Sequence, residues 1–170
     1  MSSNLTLESK MTREIPLTQG QIALVDDEDY ERASQYKWHA MNKGGGKYYA
    51  VGWVDGRDVF LHVFLMNPPF GMEVDHIDGN GLNCQKSNMR LATHANNLKN
   101  MNKHRDNTSG FKGVALHKST GKYQANIWVD GVQHYLGLFI LAEEAAHVYD
   151  DSARFYHGEF ASLNFPDETT

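Results

Sequence analysis

The chain of 170 residues has one cysteine, Cys84, and only four prolines. A single thiol can form neither an internal disulfide nor a four-thiolate zinc site, so disulfide scaffolds and zinc ribbons are excluded. No apolar run approaches the ~18 to 20 residues that a membrane span needs. The opening stretch, MSSNLTLESKMTREIPL, lacks a basic segment followed by an apolar core and does not read as a secretory signal. A soluble chain in a reducing, cytoplasmic setting is expected, with no membrane association. The 15 glycines follow no period, which excludes collagen-like and low-complexity chains. At 41% hydrophobic and 22% charged residues, the length suits one ordinary domain or two small ones. Positive charge is also short: the net charge is −5, which at first sight argues against a nucleic-acid partner.

That total hides a segregated distribution. Residues 1 to 83 carry 7 basic and 12 acidic side chains, residues 84 to 123 carry 8 and 1, and residues 124 to 170 carry 1 and 8. The central band holds Lys86, Arg90, Lys99, Lys103, Arg105, Lys112, Lys118 and Lys122 against Asp106 alone. Such a band can track a phosphate backbone; it can equally be a solvated surface neutralised by the acidic C-terminal segment.

Residues 1–12 read as a flexible tail. Short strands are predicted at Ile22 to Val25, Trp38 to Met41 and Tyr48 to Trp53, the last two joined as a hairpin through Asn42 to Lys47. Asp26 to Tyr36 suits a short helix with an acidic first turn. The apolar run Val59 to Met66 is buried whether strand or helix, and Pro68-Pro69 ends it. Around Val74 to Asn83, Asn88 to Ala92 and Thr93 to about Met101 the pattern is strand, loop, strand and helix, with Thr93 as N-cap. A polar basic stretch, 102–110, marks a linker. Beyond it three strands are expected, Phe111 to His117, Lys122 to Val129 and Val132 to Leu138, the last two joined by the hairpin signal Asp130-Gly131. A helix from about Leu141 to His157 follows. Its stripe of Ala142, Ala145, Ala146, Tyr149, Ala153 and Tyr156 packs on the sheet, and Glu143, Glu144, Asp150 and Asp151 lie opposite. The sheet's other side is left uncovered, carrying most of this region's basic residues. The fold class is α+β: a β-rich N-terminal domain over 13–101, and a small three-stranded antiparallel sheet packed on one helix over 111–166.

Between Asp75 and Asn97 the chain concentrates an acid, an imidazole and amides. Phosphodiester hydrolysis needs a base for water and a divalent cation for the charge on the leaving oxygen. Asp75 and Asn97 are hard oxygen donors of the kind magnesium or manganese prefers. Adjacent residues of a strand point to opposite sides, so Asp75 and His76 could flank one phosphate. Three plainer readings compete. A calcium loop counted from Asp78 fails, because Asn83 and Met89 fall where glycine and glutamate are required. Asp78-Gly79-Asn80-Gly81 reads as a turn. His76, in isolation, reads first as a hydrogen-bonded core histidine.

The whole run V-D-H-I-D-G-N-G-L-N-C-Q-K-S-N-M-R-L-A-T-H-A-N-N, however, resembles the HNH nuclease motif, in the homing-endonuclease variant whose third letter is asparagine. The match covers Asp75, His76, Asn88, Arg90 and Asn97, and Trp38 and Leu61-His62 resemble the upstream portion. The resemblance implies a ββα-metal site. In it His76 is the general base, Asp75 and Asn97 hold one divalent ion, magnesium or manganese, and Asn88 organises the loop carrying His76. Arg90 would touch a phosphate. His94 is the alternative second ligand, one turn before the family's position. Val63 stands where the family commonly has a basic residue, so His62 is expected to be packed or to brace a loop.

The C-terminal region resembles the plant ethylene-response-factor (APETALA-two type) DNA-binding domain, found also in nucleases of phage and bacterial type. The resemblance rests on Gly110-Phe111-Lys112-Gly113-Val114, Gly121-Lys122-Tyr123-x-Ala125-x-Ile127, Tyr135-Leu136-Gly137-x-Phe139, the helix from Ala142 to Asp150, and Leu163-Asn164-Phe165-Pro166. It implies a sheet laid into the major groove with a helix behind. Alternation puts Lys122, Gln124, Asn126 and Trp128 on one face of the middle strand and Tyr123, Ala125, Ile127 and Val129 on the other. The expected DNA-facing residues are Lys99, Lys103, Arg105, Lys112, His117, Lys118, Lys122, Asn126, Trp128 and His134. Trp128 beside Asn126 suits a thymine methyl and a base edge; an edge-packed tryptophan is the plainer alternative. Together the two resemblances imply a site-selective, metal-dependent endonuclease of homing type. It would act on double-stranded DNA as a monomer without a protein partner, leaving 5′-phosphate and 3′-hydroxyl ends. A non-catalytic DNA-binding regulator and a restriction-type or general nuclease are the alternatives.

Overall fold

A computed structural model of the chain describes residues 11–100 and 107–166. The expected tail up to residue 10, most of the expected linker, and with it Lys103 and Arg105, lie outside the described residues. The chain groups into two compact units, Met1–Leu91 and Ala92–Thr170. Among the described residues no helix is long and apolar enough to cross a membrane.

In the first unit, β1 (Thr12–Pro16) pairs antiparallel with β2 (Ile22–Asp26), a pairing absent from the sequence reading. The helix α1 (Asp27–Ser34) opens with Asp27, Glu28 and Asp29, whose charge suits the positive end of a helix dipole. The strands β3 (Trp38–Asn42), β4 (Tyr48–Val54) and β5 (Arg57–Phe60) form an antiparallel sheet, β3 and β4 being the expected hairpin. The ambiguous run Val59 to Met66 is both things at once. It finishes β5 at Phe60 and turns into α2 (Leu61–Met66), which stops at Asn67 with φ 42°, just before the two prolines that cannot continue it. Next come β6 (Glu73–His76) and β7 (Met89–Ala92), paired with it, followed in the chain by α3 (His94–Lys99), which is grouped with the second unit. Thr93 caps α3 as expected, its hydroxyl accepting from the Asn96 N–H at 3.2 Å. Ala23, Val25, Trp38, Ala50, Leu61, Cys84 and Met89 meet in one core. The indole of Trp38 donates to the Ala33 carbonyl at 2.8 Å, so even its polar atom is satisfied there.

The second unit is the expected sheet on a helix. Its strands β8 (Val114–His117), β9 (Lys122–Val129) and β10 (Val132–Phe139) lie in the order β10-β9-β8, and α4 spans Ala142–His157. Asp130 and Gly131 turn the β9–β10 hairpin with φ of 50° and 80°, the doubly positive pair a tight two-residue turn requires. Val114, Ala125 and Ile127 pack against Ala145, Ala146, Tyr149 and Ala153 of the helix. The start of the sheet is built differently from the expectation. Phe111 to Gly113 precede β8 instead of extending it, and Asn107 to Gly110, read as linker, form a turn: Ser109 Oγ donates to the Val114 carbonyl at 2.7 Å, and Asn107 Nδ2 donates to the Phe111 carbonyl at 2.7 Å.

A second correction concerns Asp150, placed by the sequence reading on the exposed face of α4. It is 1% exposed. Its Oδ1 accepts from the Asn164 N–H at 2.8 Å and from Asn164 Nδ2 at 3.0 Å, and its Oδ2 accepts from the Phe165 N–H at 2.8 Å. Asn164 in turn bonds both backbone groups of Lys112, at 2.7 and 3.2 Å. Helical periodicity alone cannot see a carboxylate turned inward to hold a C-terminal segment against the first loop of the sheet. Tyr156 departs too, being 43% exposed at the edge of its stripe.

Losing a buried, fully engaged carboxylate leaves several N–H groups unsatisfied, so Asp150→Ala is expected to lower the unfolding free energy by about 3 kcal/mol. Gly113→Ala is expected to be comparably damaging, since Gly113 has φ 74° and a Cβ there would overlap the Tyr149 ring. Urea unfolding of both variants checks this; midpoints equal to the wild type would contradict it.

Candidate active site and nucleic-acid interface

The loop between β6 and β7 is held from both ends. The Asn88 side chain accepts from the Asp78 N–H at 3.0 Å and donates to Asp78 Oδ1 and the Asn83 carbonyl, both at 2.9 Å. The Ile77 N–H donates to the Asn88 carbonyl at 2.8 Å. Asp78 also accepts from the Asn80 N–H and from Asn83 Nδ2, so Asp78-Gly79-Asn80 is a side-chain-braced turn, as the sequence reading has it. The far side of the loop is stitched to β2. Leu24 donates to the Leu82 carbonyl and accepts from the Cys84 N–H, both at 2.8 Å, and the Lys86 N–H donates to Asp26 Oδ2 at 2.8 Å. His76 therefore leaves β6 into a loop with little freedom to move.

The His76 imidazole is 5% exposed. Its ring meets the His62 ring edge-on with centroids 4.9 Å apart and the Tyr49 ring at 5.9 Å, and its Nε2 lies 4.0 Å from Cys84 Sγ. Burial lowers its pKa, against the opposing pull of Asp78 and Asp75, and so favours the neutral ring that can accept a proton. His62, expected to be packed, is buried and stacks on Phe60 at 5.3 Å; burial, reinforced by His76, lowers its pKa to about 3. Its Nδ1 is buried with no hydrogen-bond partner among the described residues. Burial pushes the Cys84 thiol up to about 12. The sequence did not place Tyr49 or Cys84 beside His76: the cysteine carried no metal-site spacing, and a strand tyrosine reads as core.

Asp75, next to His76, is 4% exposed. Arg90 on β7 approaches its Oδ2 with Nε at 2.8 Å and Nη2 at 2.7 Å. The arginine expected at a phosphate thus faces the carboxylate expected at a metal, and its cation offsets the cost of burying that acid. Asn97 and His94 both lie on α3, which is grouped with the second unit, as does Lys99. A separate acidic group, Asp26, Glu28 and Asp29, has the spacing of a cation site. The Lys86 ammonium reaches it, 2.9 Å from Glu28 and 3.0 Å from Asp29, which makes the first residue of the basic band an internal counter-ion.

On the second unit, β9 alternates as expected: Ala125 and Ile127 are buried, Lys122 and Trp128 exposed, Trp128 by 61%. Register then sorts the remaining residues. Trp128 pairs with Gln133 and Asn126 with Tyr135, so Gln133 and Tyr135 share the open face, while His117 pairs with Lys122 on the same side. Tyr135 is 62% exposed. His134 is a correction. It pairs with Ile127 on the helix side and stacks on Tyr156 of α4 at 5.8 Å. The two-residue turn at Asp130-Gly131 already fixes that register and would have exchanged His134 for its two neighbours. Lys112 is a correction too: its Nζ donates to the Lys99 carbonyl at 2.8 Å, and burial lowers its pKa to about 8. Lys118 is exposed in the turn before β9, His117 bonds Thr120 Oγ1 at 2.9 Å, and Gln124 Nε2 donates to Asn126 Oδ1 at 3.0 Å. The open face is accordingly less basic than expected and richer in amides and aromatics.

The span from the last residue of α2 through α3, residues 66–99, matches the family model described as HNH endonuclease. An uncharacterized HNH endonuclease of Acanthamoeba polyphaga mimivirus is 32% identical over 146 residues, covering 85% of this chain and 75% of that protein. Protein 3.8 of Escherichia phage T7 is 39% identical over 93 residues, 55% of this chain and 76% of its own length. The chain belongs to the HNH endonuclease family and is a nuclease acting on DNA. Nucleases of this family generally use a divalent metal ion. The similarity to plant factors is narrower: an ethylene-responsive transcription factor of Arabidopsis thaliana is 39% identical over 72 aligned residues, 36% of this chain and 17% of that protein. No solved structure matches the chain.

His62 makes a titration prediction. Its folded pKa of about 3 lies below the ordinary 6.5, so between these values the unfolded chain binds a proton that the folded chain refuses. The stability is fully present above about pH 6.5 and is lost as pH falls toward about 3. His62→Phe removes the proton site, so its urea midpoint should fall less than the wild type's between about pH 7 and about pH 4. Parallel pH profiles for the two proteins would contradict this origin.

Proposed function

We propose that the chain is a site-selective, metal-dependent endonuclease of homing type. In this reading residues 13–101 form the nuclease domain, and residues 111–166 are a reader of ethylene-response-factor type whose sheet enters the major groove. The observation that carries it is the pairing of Asp75 with His76 on one short strand: both are buried, and the following loop is locked by the Asn88 amide. His76 takes the proton from a water that attacks phosphorus in line, and the bond to the 3′ oxygen breaks, leaving 5′-phosphate and 3′-hydroxyl ends. Asn88 keeps that imidazole in place. Asp75 and Asn97 are hard oxygen donors, a set that fits magnesium or manganese and excludes a soft thiolate site. Bound there, such an ion supplies positive charge to the departing oxygen. Arg90, paired with Asp75 through Nε and Nη2, orients the carboxylate.

Site selection falls to the open sheet face. Asn126 and Gln133 offer amides for base edges, and Trp128 and Tyr135 offer apolar contact, with Lys122 and Lys118 toward phosphates. Similarity of 36% of the chain to plant transcription factors supports the assignment.

Incubating the purified chain with supercoiled plasmid, in magnesium and in chelator, tests the reading. Nicked or linear product in magnesium only is expected; no product in either would overturn it. His76→Ala is expected to reduce cleavage by at least about 10²-fold while DNA binding persists, and wild-type cleavage by that variant would remove the base. Asn97→Ala should raise the magnesium needed for half-maximal cleavage; an unchanged titration would move the second ligand to His94.

A further inference from the structure

The mechanism leaves unused the basic part of the N-terminal half. Residues 37 to 57 hold four of its seven basic side chains, Lys37, Lys43, Lys47 and Arg57, and only one of its twelve acids, Asp55. Two of the four, Lys43 and Lys47, stand at the tip of the β3–β4 hairpin. The tip is closed by the Lys43 N–H donating to the Lys47 carbonyl at 2.9 Å, and Asn42 Oδ1 accepts from the Gly44 N–H at 2.7 Å. Between the lysines run Gly44, Gly45 and Gly46, all at positive φ, and a Cβ built on any of them would meet nothing within 4 Å. The tip is therefore exposed and uncovered by side chains, so another backbone can approach closely.

This tip is continuous with the catalytic surroundings. The Lys43 ammonium sits 5.3 Å over the Phe60 ring, Phe60 stacks on His62 at 5.3 Å, and His62 meets His76 at 4.9 Å. Strand register puts Phe60 opposite Val51, on the side of the sheet away from the core residues Trp38, Ala50 and Val54. Tyr49, which also touches His76, lies on the same side and pairs with Met41. A run of ring contacts thus leads from Lys43 through Phe60 and His62 to the catalytic imidazole. Three such contacts reach no farther than about five nucleotide rises along one strand.

We infer that Lys43 and Lys47 bind backbone phosphates of the DNA strand adjoining the scissile bond, making the β3–β4 tip a second DNA contact on the nuclease unit. The inference rests on the endonuclease reading. It gives the hairpin the task of holding the substrate strand against the site, separately from the sheet that selects the sequence. The contact is to phosphate and carries no base preference.

The test uses the full chain with the His76→Ala background for binding and the catalytically intact background for cleavage. Each phosphate contact contributes roughly 0.9 to the slope of log affinity against log salt, so the double variant Lys43→Gln/Lys47→Gln should lose about 2 from that slope on a fluorescent duplex. The same double variant should raise KM for plasmid about tenfold or more while kcat stays within about twofold. Lys37→Gln removes a like charge from the opposite end of β3 and should leave the slope unchanged. An unaltered slope in the double variant, or an equal loss in Lys37→Gln, overturns the assignment while plasmid cleavage by the wild type stands. Absence of magnesium-dependent cleavage by the wild type would instead fail the endonuclease reading, and this one with it.

Discussion

The amide of Asn88 is the constraint on which the loop after His76 depends. One side chain closes a ring of hydrogen bonds through Asp78 and Asn83, and its own carbonyl receives Ile77, the residue directly after His76. An amide suits this post because it donates and accepts at once; an aspartate there would lose the two donated bonds, and a leucine all of them. The loop has no hydrophobic core of its own. Its order comes from these bonds, from its docking onto β2 and from Leu82 and Cys84 in the shared core, so a hydrogen-bond network and packing together set the position of the imidazole.

The second unit solves a related problem with a charge. Asp150 in its inner position is satisfied by the N–H groups of Asn164 and Phe165, and Asn164 passes the connection to Lys112. A small sheet with one helix buries little apolar area, and its ends would fray. The carboxylate converts the C-terminal segment into a strap, leaving the far side of the sheet uncovered and available to a partner.

Much of this was legible in the sequence wherever a short-range rule sufficed. β9 falls where its alternation put it, Thr93 caps its helix, and Asp130-Gly131 turns its hairpin, since each depends on neighbours along the chain. The strand β1 was not legible, because Thr12 to Pro16 carries little apolar pattern and gains its structure only by pairing with β2. The run Val59 to Met66 is apolar throughout, so no period marks the change from strand to helix at Phe60. The motif residues Asp75, His76, Asn88 and Arg90 were singled out from the sequence, yet their bonds were not. The pairing of Arg90 with Asp75 spans two strands, and spacing says nothing of which acid an arginine will meet. His134 and Lys112 fell to the opposite failing, in which residue type was weighed without register or burial.

Cys84 sits with no solvent exposure where the braced loop docks on β2, its N–H tied to Leu24 and its sulfur against the His76 imidazole. With its pKa raised to about 12, it holds almost no thiolate at neutral pH and is inert toward electrophiles while the loop is seated. Since the chain has no other thiol, the rate at which it reacts with a thiol reagent measures how often that loop lifts away from the sheet. The molecule carries a built-in reporter on the opening of its own His76 loop.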